Sequence, residues 1–97
     1  MGYKLSRKAE DDIIRVYVEG VTEFGIPQAE KYYAGLHQLL DLLGEKPELT
    51  RERTEVTPPV RVHRYVSHIV VYTIDDDGDA LILRVRSGKE DWQNNLV

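Results

Sequence analysis

Two apolar stripes at helical spacing, hinged at Gly25-Ile26-Pro27, constrain this chain more than anything else in it. In the first, Ala9, Ile13, Val16, Tyr17, Val21 and Phe24 recur mostly three or four residues apart, as on one face of a helix. In the second, Ala29, Tyr32, Tyr33, Leu36, Leu39, Leu40 and Leu43 form a wider stripe that Gly44 and Pro47 end. Gly25 reads as the stop of the first helix and Pro27 as the first-turn proline of the second. So short a connection predicts an antiparallel helical hairpin. Ser6 is a suitable N-cap, and Glu10, Asp11 and Asp12 lie near the positive end of the helix dipole. Gly20 falls inside the first stripe and weakens its helical signal.

The flanking segments change period. Tyr3 and Leu5 alternate with Lys4 and Ser6, as in a brief half-buried strand. Residues 47–59 are polar and aperiodic and read as a loop. Val60 to Ser67, His68 to Ile74 and Ala80 to Arg86 are rich in Val, Ile and Tyr and read as three strands. Asp77-Gly78 marks the turn between the last two. The first boundary, Tyr65-Val66-Ser67-His68, carries no glycine or proline, so a tight turn and a bend both stay open. Apolar residues on both parities make His68–Ile74 the central strand. The expected fold is α+β: an N-terminal strand, an antiparallel helical hairpin, then a three-stranded antiparallel sheet, in a single domain over residues 1–97.

Several chemistries are excluded or disfavoured. With zero cysteines there is no disulfide, thiolate metal site or cysteine nucleophile. His37, His63 and His68 have no metal-binding spacing. Asp75, Asp76, Asp77 and Asp79 suggest calcium, but counting from Asp75 the glycine and glutamate positions of a calcium loop hold Ala80 and Arg86. Ser67 and His68 are adjacent, so on a strand they point apart and form no nucleophile–base pair. No metal or cofactor is expected. The longest stretch without a charged residue, Tyr65–Ile74, is ten residues and too short to span a membrane. No apolar stretch follows Arg7 and Lys8 as a secretory signal requires, so a cytoplasmic protein is expected.

Charge is the remaining guide. Thirteen Lys plus Arg against seventeen Asp plus Glu give a net charge of −4, which weighs against a protein that lives by gripping nucleic acid. Yet residues 60–74 carry two arginines, Arg61 and Arg64, and no acid, while residues 80–89 carry Arg84, Arg86 and Lys89 and no acid. Such a basic sheet region suits an acidic protein partner or phosphates. The competing reading is solvated strand positions, or pairing with Glu52, Glu55 or Glu90. Trp92, the one tryptophan, either anchors a protein contact or folds back to close the core beside the last strand.

Tyr3-x-Leu5-Ser6-x-x-Ala9-x-x-Asp12-Ile13, Gly25-x-x-x-Ala29-x-x-Tyr32, the Arg61–Tyr72 stretch with Ser67-His68, Ile82-x-Arg84-Val85 and Val85–Trp92 come in an order and spacing that resembles the ParE branch of the RelE/ParE toxin superfamily. The resemblance spans nearly the whole chain and implies the toxin of a type II toxin–antitoxin pair. ParE toxins are associated with poisoning DNA gyrase and are neutralised by a ParD-like antitoxin. This implies a non-catalytic inhibitor without sequence-specific nucleic-acid binding. RelE relatives instead cleave messenger RNA on the ribosome with basic residues and often a C-terminal His or Tyr. Here Ser87 stands where many relatives carry histidine, and no Tyr or His follows Tyr72. The endoribonuclease is therefore the alternative reading. Target-binding candidates are Arg61, Arg64, Arg84, Arg86, Lys89 and Trp92. Antitoxin-binding candidates on the hairpin are Val18, Val21 and Leu42, unless these simply complete the core.

Overall fold

The computed structural model describes residues 2–90 and 92–94. Strand β1 (Tyr3–Leu5) leads into helix α1 (Arg7–Phe24), which folds back as helix α2 (Ile26–Glu45). Strands β2 (Glu52–Arg53), β3 (Val60–Tyr65), β4 (His68–Ile74) and β5 (Ala80–Ser87) follow, with short 3-10 turns at Pro47–Leu49 and Trp92–Asn94. The five strands form one mixed sheet in the order β1-β5-β4-β3-β2. The expected α+β class and hairpin are present. The sheet is larger than expected because β1 joins it parallel to β5, and two residues of the predicted loop add β2 to the far edge.

Local chemistry accounts for the hairpin. Ser6 Oγ accepts from the Ala9 N–H at 3.0 Å and caps α1. Gly25, at φ 88°, donates its N–H to the Val21 carbonyl at 2.9 Å and turns the chain directly into α2. Gly20, the blemish in the stripe, faces α2, where a Cβ would meet Ala29 Cβ at 3.4 Å in ordinary contact.

The hairpin packs on one face of the sheet. Ala9 and Ile13 of α1, Leu36, Leu39, Leu40 and Leu43 of α2, and Val70, Tyr72, Ile82 and Val85 of the sheet share one core cluster. Tyr72 is fully buried there, and its hydroxyl donates to the Pro47 carbonyl at 2.8 Å, fixing the chain as it leaves α2. On the opposite face Val60, Ile69 and Val71 form a second cluster beneath Val56, with Val62, Leu83 and Trp92 against it. Trp92 therefore folds back onto the sheet, and the Arg53 guanidinium carbon lies 5.9 Å from its ring centroid. β4 is central and buried through Ile69–Tyr72, as the mixed parity predicts.

Only the first half of α1 is built into this core. Its buried residues are Ala9, Asp12 and Ile13, so the distal half and the start of α2 pack chiefly on each other. Phe24 and Tyr33, which the periodicity places in the apolar stripes, are exposed for this reason.

Candidate functional site

The β3–β4 connection is a two-residue turn, Val66-Ser67, since Tyr65 pairs with His68. Val66 takes a positive φ of 52° there, an uncommon conformation for a β-branched residue. Ser67 thus lies in a turn and not in a strand, which corrects the expectation that it points away from His68. Its Oγ is 3.4 Å from His68 Nδ1. That nitrogen is engaged more closely by the Tyr32 hydroxyl, at 2.8 Å, while the Tyr65 hydroxyl donates to the Tyr32 carbonyl at 3.1 Å. Gly35 makes room for this Tyr65 phenol, since a Cβ there would lie 2.1 Å from its oxygen. The cluster joins α2 to the sheet.

Burial pushes the His68 pKa down, and the charges of Glu19 and Glu90 pull weakly the other way. The folded protein thus binds fewer protons at His68 than the unfolded chain. Stability from this site is present above the ordinary histidine value of about 6.5 and is lost as pH falls through it. NMR titration is expected to give His68 a midpoint below that of an unfolded-chain histidine. Urea midpoints are expected to fall between pH 7 and pH 5.5, and to fall less in His68→Gln.

Pairing register distributes the basic candidates. Arg64 and Arg86 both pair with Ile69, from opposite sides, and so form one row across β3, β4 and β5 on the face away from the helices. Two strand spacings separate them, about 10 Å between backbones. The Arg64 guanidinium also lies over the turn after β5, 3.0 Å from where a Gly88 Cβ would be. Lys89, in that turn, is exposed. Trp92 packs on the same face. The structure therefore brings Arg64, Arg86, Lys89 and Trp92 to one face.

Arg61 and Arg84 do not join them. Arg61 pairs with Tyr72, which faces the helices, and its guanidinium donates to the Thr50 carbonyl. Arg84 is 9% exposed, and its Nε and Nη2 donate to the two Asp12 carboxylate oxygens at 2.7 and 3.1 Å. The β-bulge at Val71/Tyr72 separates Ile82, opposite Tyr72, from Arg84 and Arg86, opposite Val71 and Ile69, so register alone leaves Arg84 on the parity of Arg86 and the Asp12 pair takes it out of the row. Past Ile82, β1 no longer covers the edge of β5, and α1 takes its place. Ser6 Oγ donates to the Leu83 carbonyl at 2.8 Å, and Asp12 accepts the Val85 N–H at 3.0 Å. Arg84 is therefore a structural cation and not part of the exposed basic surface. Asp12, read from the sequence as a helix-dipole residue, is its buried partner at 1% exposure.

Arg86 is also paired, but at the surface, with Glu90. That guanidinium, together with the Ser87 N–H, holds the Glu90 carboxyl down at about 2. At the other end of the sheet Asp75, Asp77 and Asp79 converge, and the Lys4 ammonium lies among them at 2.8, 2.8 and 3.5 Å. This chain's own lysine meets the charge that suggested calcium. These hydrogen bonds hold the Asp75 carboxyl below the usual carboxylate range.

The second surface is apolar. Ile14, Val18, Phe24 and Ile26 are 62%, 55%, 66% and 56% exposed on the distal hairpin, and Ile14, Tyr17, Glu30 and Tyr33 line a shallow cleft of about 550 Å³. Of the hairpin candidates, Val18 lies in this patch and Val21 is half-buried beside it. Leu42 is exposed but lies nine residues past Tyr33 in α2, about 14 Å along the helix from that cleft. The sequence pattern missed Ile14, whose four-residue spacing to Val18 is the signal for this strip.

Among the described residues, the helical hairpin on a mixed sheet thus carries a cationic row on one sheet face and an apolar patch on the hairpin. Residues 3–92 match the ParE toxin of type II toxin–antitoxin systems, parDE, and the chain belongs to that family. It is 27% identical over 94 residues to Toxin ParE1 of Mycobacterium tuberculosis, in both strains CDC 1551 / Oshkosh and ATCC 25618 / H37Rv, covering 97% of this chain and 96% of the relative. Its fold is similar to a chain of the solved chromosomal ParDE TA system from P. aeruginosa, with a TM-score of 0.74 and 22% identity over 90% of this chain and 95% of that one.

Proposed function

We propose that this chain is a toxin that inhibits DNA gyrase in the cytoplasm by binding it, and that a ParD-like antitoxin holds it inactive. The observation that carries this reading is the composition of the cationic face. Arg64, Arg86 and Lys89 are permanently charged near neutral pH and suit binding, not proton transfer. The imidazole of His68 is engaged with Tyr32 on the helix side, and His63 lies on that side by register. A nuclease needs a titratable group beside the scissile phosphate. An acidic chain with net charge −4 is also poorly matched to ribosomal RNA. Trp92 and Arg64 are suited to the centre of a protein contact. The apolar hairpin tip is suited to an antitoxin helix laid along Ile14, Val18 and Tyr33.

Charge reversal tests the cationic face. Arg64→Glu with Lys89→Glu is expected to reduce inhibition of gyrase at least tenfold with unchanged circular dichroism and melting temperature, because both side chains are exposed. Retained potency in this folded variant would remove the face from the account.

A further inference from the structure

The Arg86 guanidinium reaches the target face already holding a carboxylate. Its Nε donates to Glu90 Oε1 at 3.2 Å and its Nη2 donates to Glu90 Oε2. The Ser87 N–H donates to the same Oε1 at 3.0 Å. Three donors, two on a planar fork and one on the backbone, thus converge on one carboxylate. The fork is set by the fold. Arg86 lies within β5 against Ile69, and its side chain is only 15% exposed. The occupant is set much more loosely. Glu90 is 42% exposed and sits on the turn that follows β5, held by Glu90 N–H to the Ser87 carbonyl at 3.1 Å and Lys89 N–H to Ser87 Oγ at 3.3 Å.

We propose that the Arg86 guanidinium and the Ser87 N–H form a binding site for an acidic side chain of a protein partner, and that Glu90 is a built-in occupant which closes the site in the free chain. The proposal deepens the reading of this face as the target surface and rests on it. A strand cation that holds a carboxylate from the following turn exchanges one carboxylate for another without exposing a bare charge. Glu90 is itself 42% exposed and reaches the fork from the turn beyond β5, so a competing carboxylate can approach the same donors. Arg64 and Lys89 flank the site and supply attraction that steers an acidic segment towards it. Titration does not open it, because Glu90 stays ionised down to a pH of about 2. Competition is what opens it. A carboxylate is favoured over a nucleic-acid phosphate because the resident ligand is a carboxylate and the chain as a whole carries −4.

The test uses the full chain and tetraglutamate peptide as probe, followed by the NMR signal of the Arg86 Nε–H group. Glu90→Gln is expected to bind the peptide at least tenfold more tightly than the parent chain. The gain should vanish in Glu90→Gln with Arg86→Gln. Glu52→Gln, which removes an equal charge at the far edge of the sheet, should show no gain. Equal peptide affinity in the parent chain and Glu90→Gln overturns the proposal, as does an equal gain in Glu52→Gln or persistence of the gain without Arg86. Inorganic phosphate binding to Glu90→Gln as tightly as tetraglutamate overturns the carboxylate assignment. No gyrase is present in this titration, so its result is separate from the identity of the target.

Discussion

Asp12→Ala is expected to cost the fold about 3–5 kcal/mol, the penalty of leaving one member of a buried ion pair without its partner. The Asp12 carboxylate accepts from Arg84 at 2.7 and 3.1 Å and from the Val85 N–H at 3.0 Å, all in a buried setting. Removing it leaves a guanidinium and a backbone donor unsatisfied at the stretch of β5 that β1 does not reach. In a domain of 97 residues such a loss lowers the melting temperature by tens of degrees, at about 4–8 °C per kcal/mol. Arg84→Met should cost nearly as much alone. The double variant should cost less than the sum, giving a coupling above about 1 kcal/mol in urea unfolding. Single variants that each cost under about 1 kcal/mol would show that the pair does not brace α1 against β5. The same geometry bears on toxicity. An Arg84 variant that loses activity reports a damaged fold, whereas Arg64 and Lys89 report on the surface.

The second large effect concerns the hairpin tip. Ile14→Glu with Val18→Glu is expected to weaken capture by a ParD-like antitoxin at least a hundredfold, which corresponds to about 2.7 kcal/mol. Both side chains are more than half exposed, so the fold gives up little when they change. An apolar groove that must desolvate a carboxylate loses the partner, and buried anchors of this kind carry most of an interface's energy. Isothermal calorimetry of folded variants reads the loss. Leu42→Glu, nine residues past Tyr33 and about 14 Å along α2, should have a smaller effect. An unchanged dissociation constant in the Ile14/Val18 variant would move the antitoxin contact away from the tip. In cells that carry the pair, the same variant should restore toxicity in the presence of the antitoxin, because Ile14 and Val18 lie on the hairpin and leave Arg64 and Lys89 unchanged.

The hairpin was legible in the sequence because its signals are local: a 3.6-residue period, Ser6 at one end and Gly25-Ile26-Pro27 in the middle. The central position of β4 was legible from its mixed parity. The parallel pairing of β1 with β5 was not, since Tyr3 and Ala80 meet only through tertiary structure and three residues carry little strand signal. Arg84 was misplaced for a similar reason. Register leaves it opposite Val71, on the parity of Arg86, and only its ion pair takes it out of the row. Its partner Asp12 lies 72 residues away, with no local sign of the pairing. Lys4 among Asp75, Asp77 and Asp79 is another long-range pairing that composition could not show. The cationic face was half legible. Strand periodicity nominated the arginines, register set Arg61 apart, and the ion pair with Asp12 removed Arg84. The hairpin tip was misread because a stripe at helical spacing does not say how far the sheet extends beneath it.

The most direct test of the central claim puts the purified chain into two reactions, supercoiling by purified DNA gyrase and translation by purified ribosomes on a defined messenger RNA. Dose-dependent loss of supercoiling, reversed by a ParD-like antitoxin, is expected, with the messenger left intact. Full supercoiling activity alongside specific messenger cleavage would contradict it.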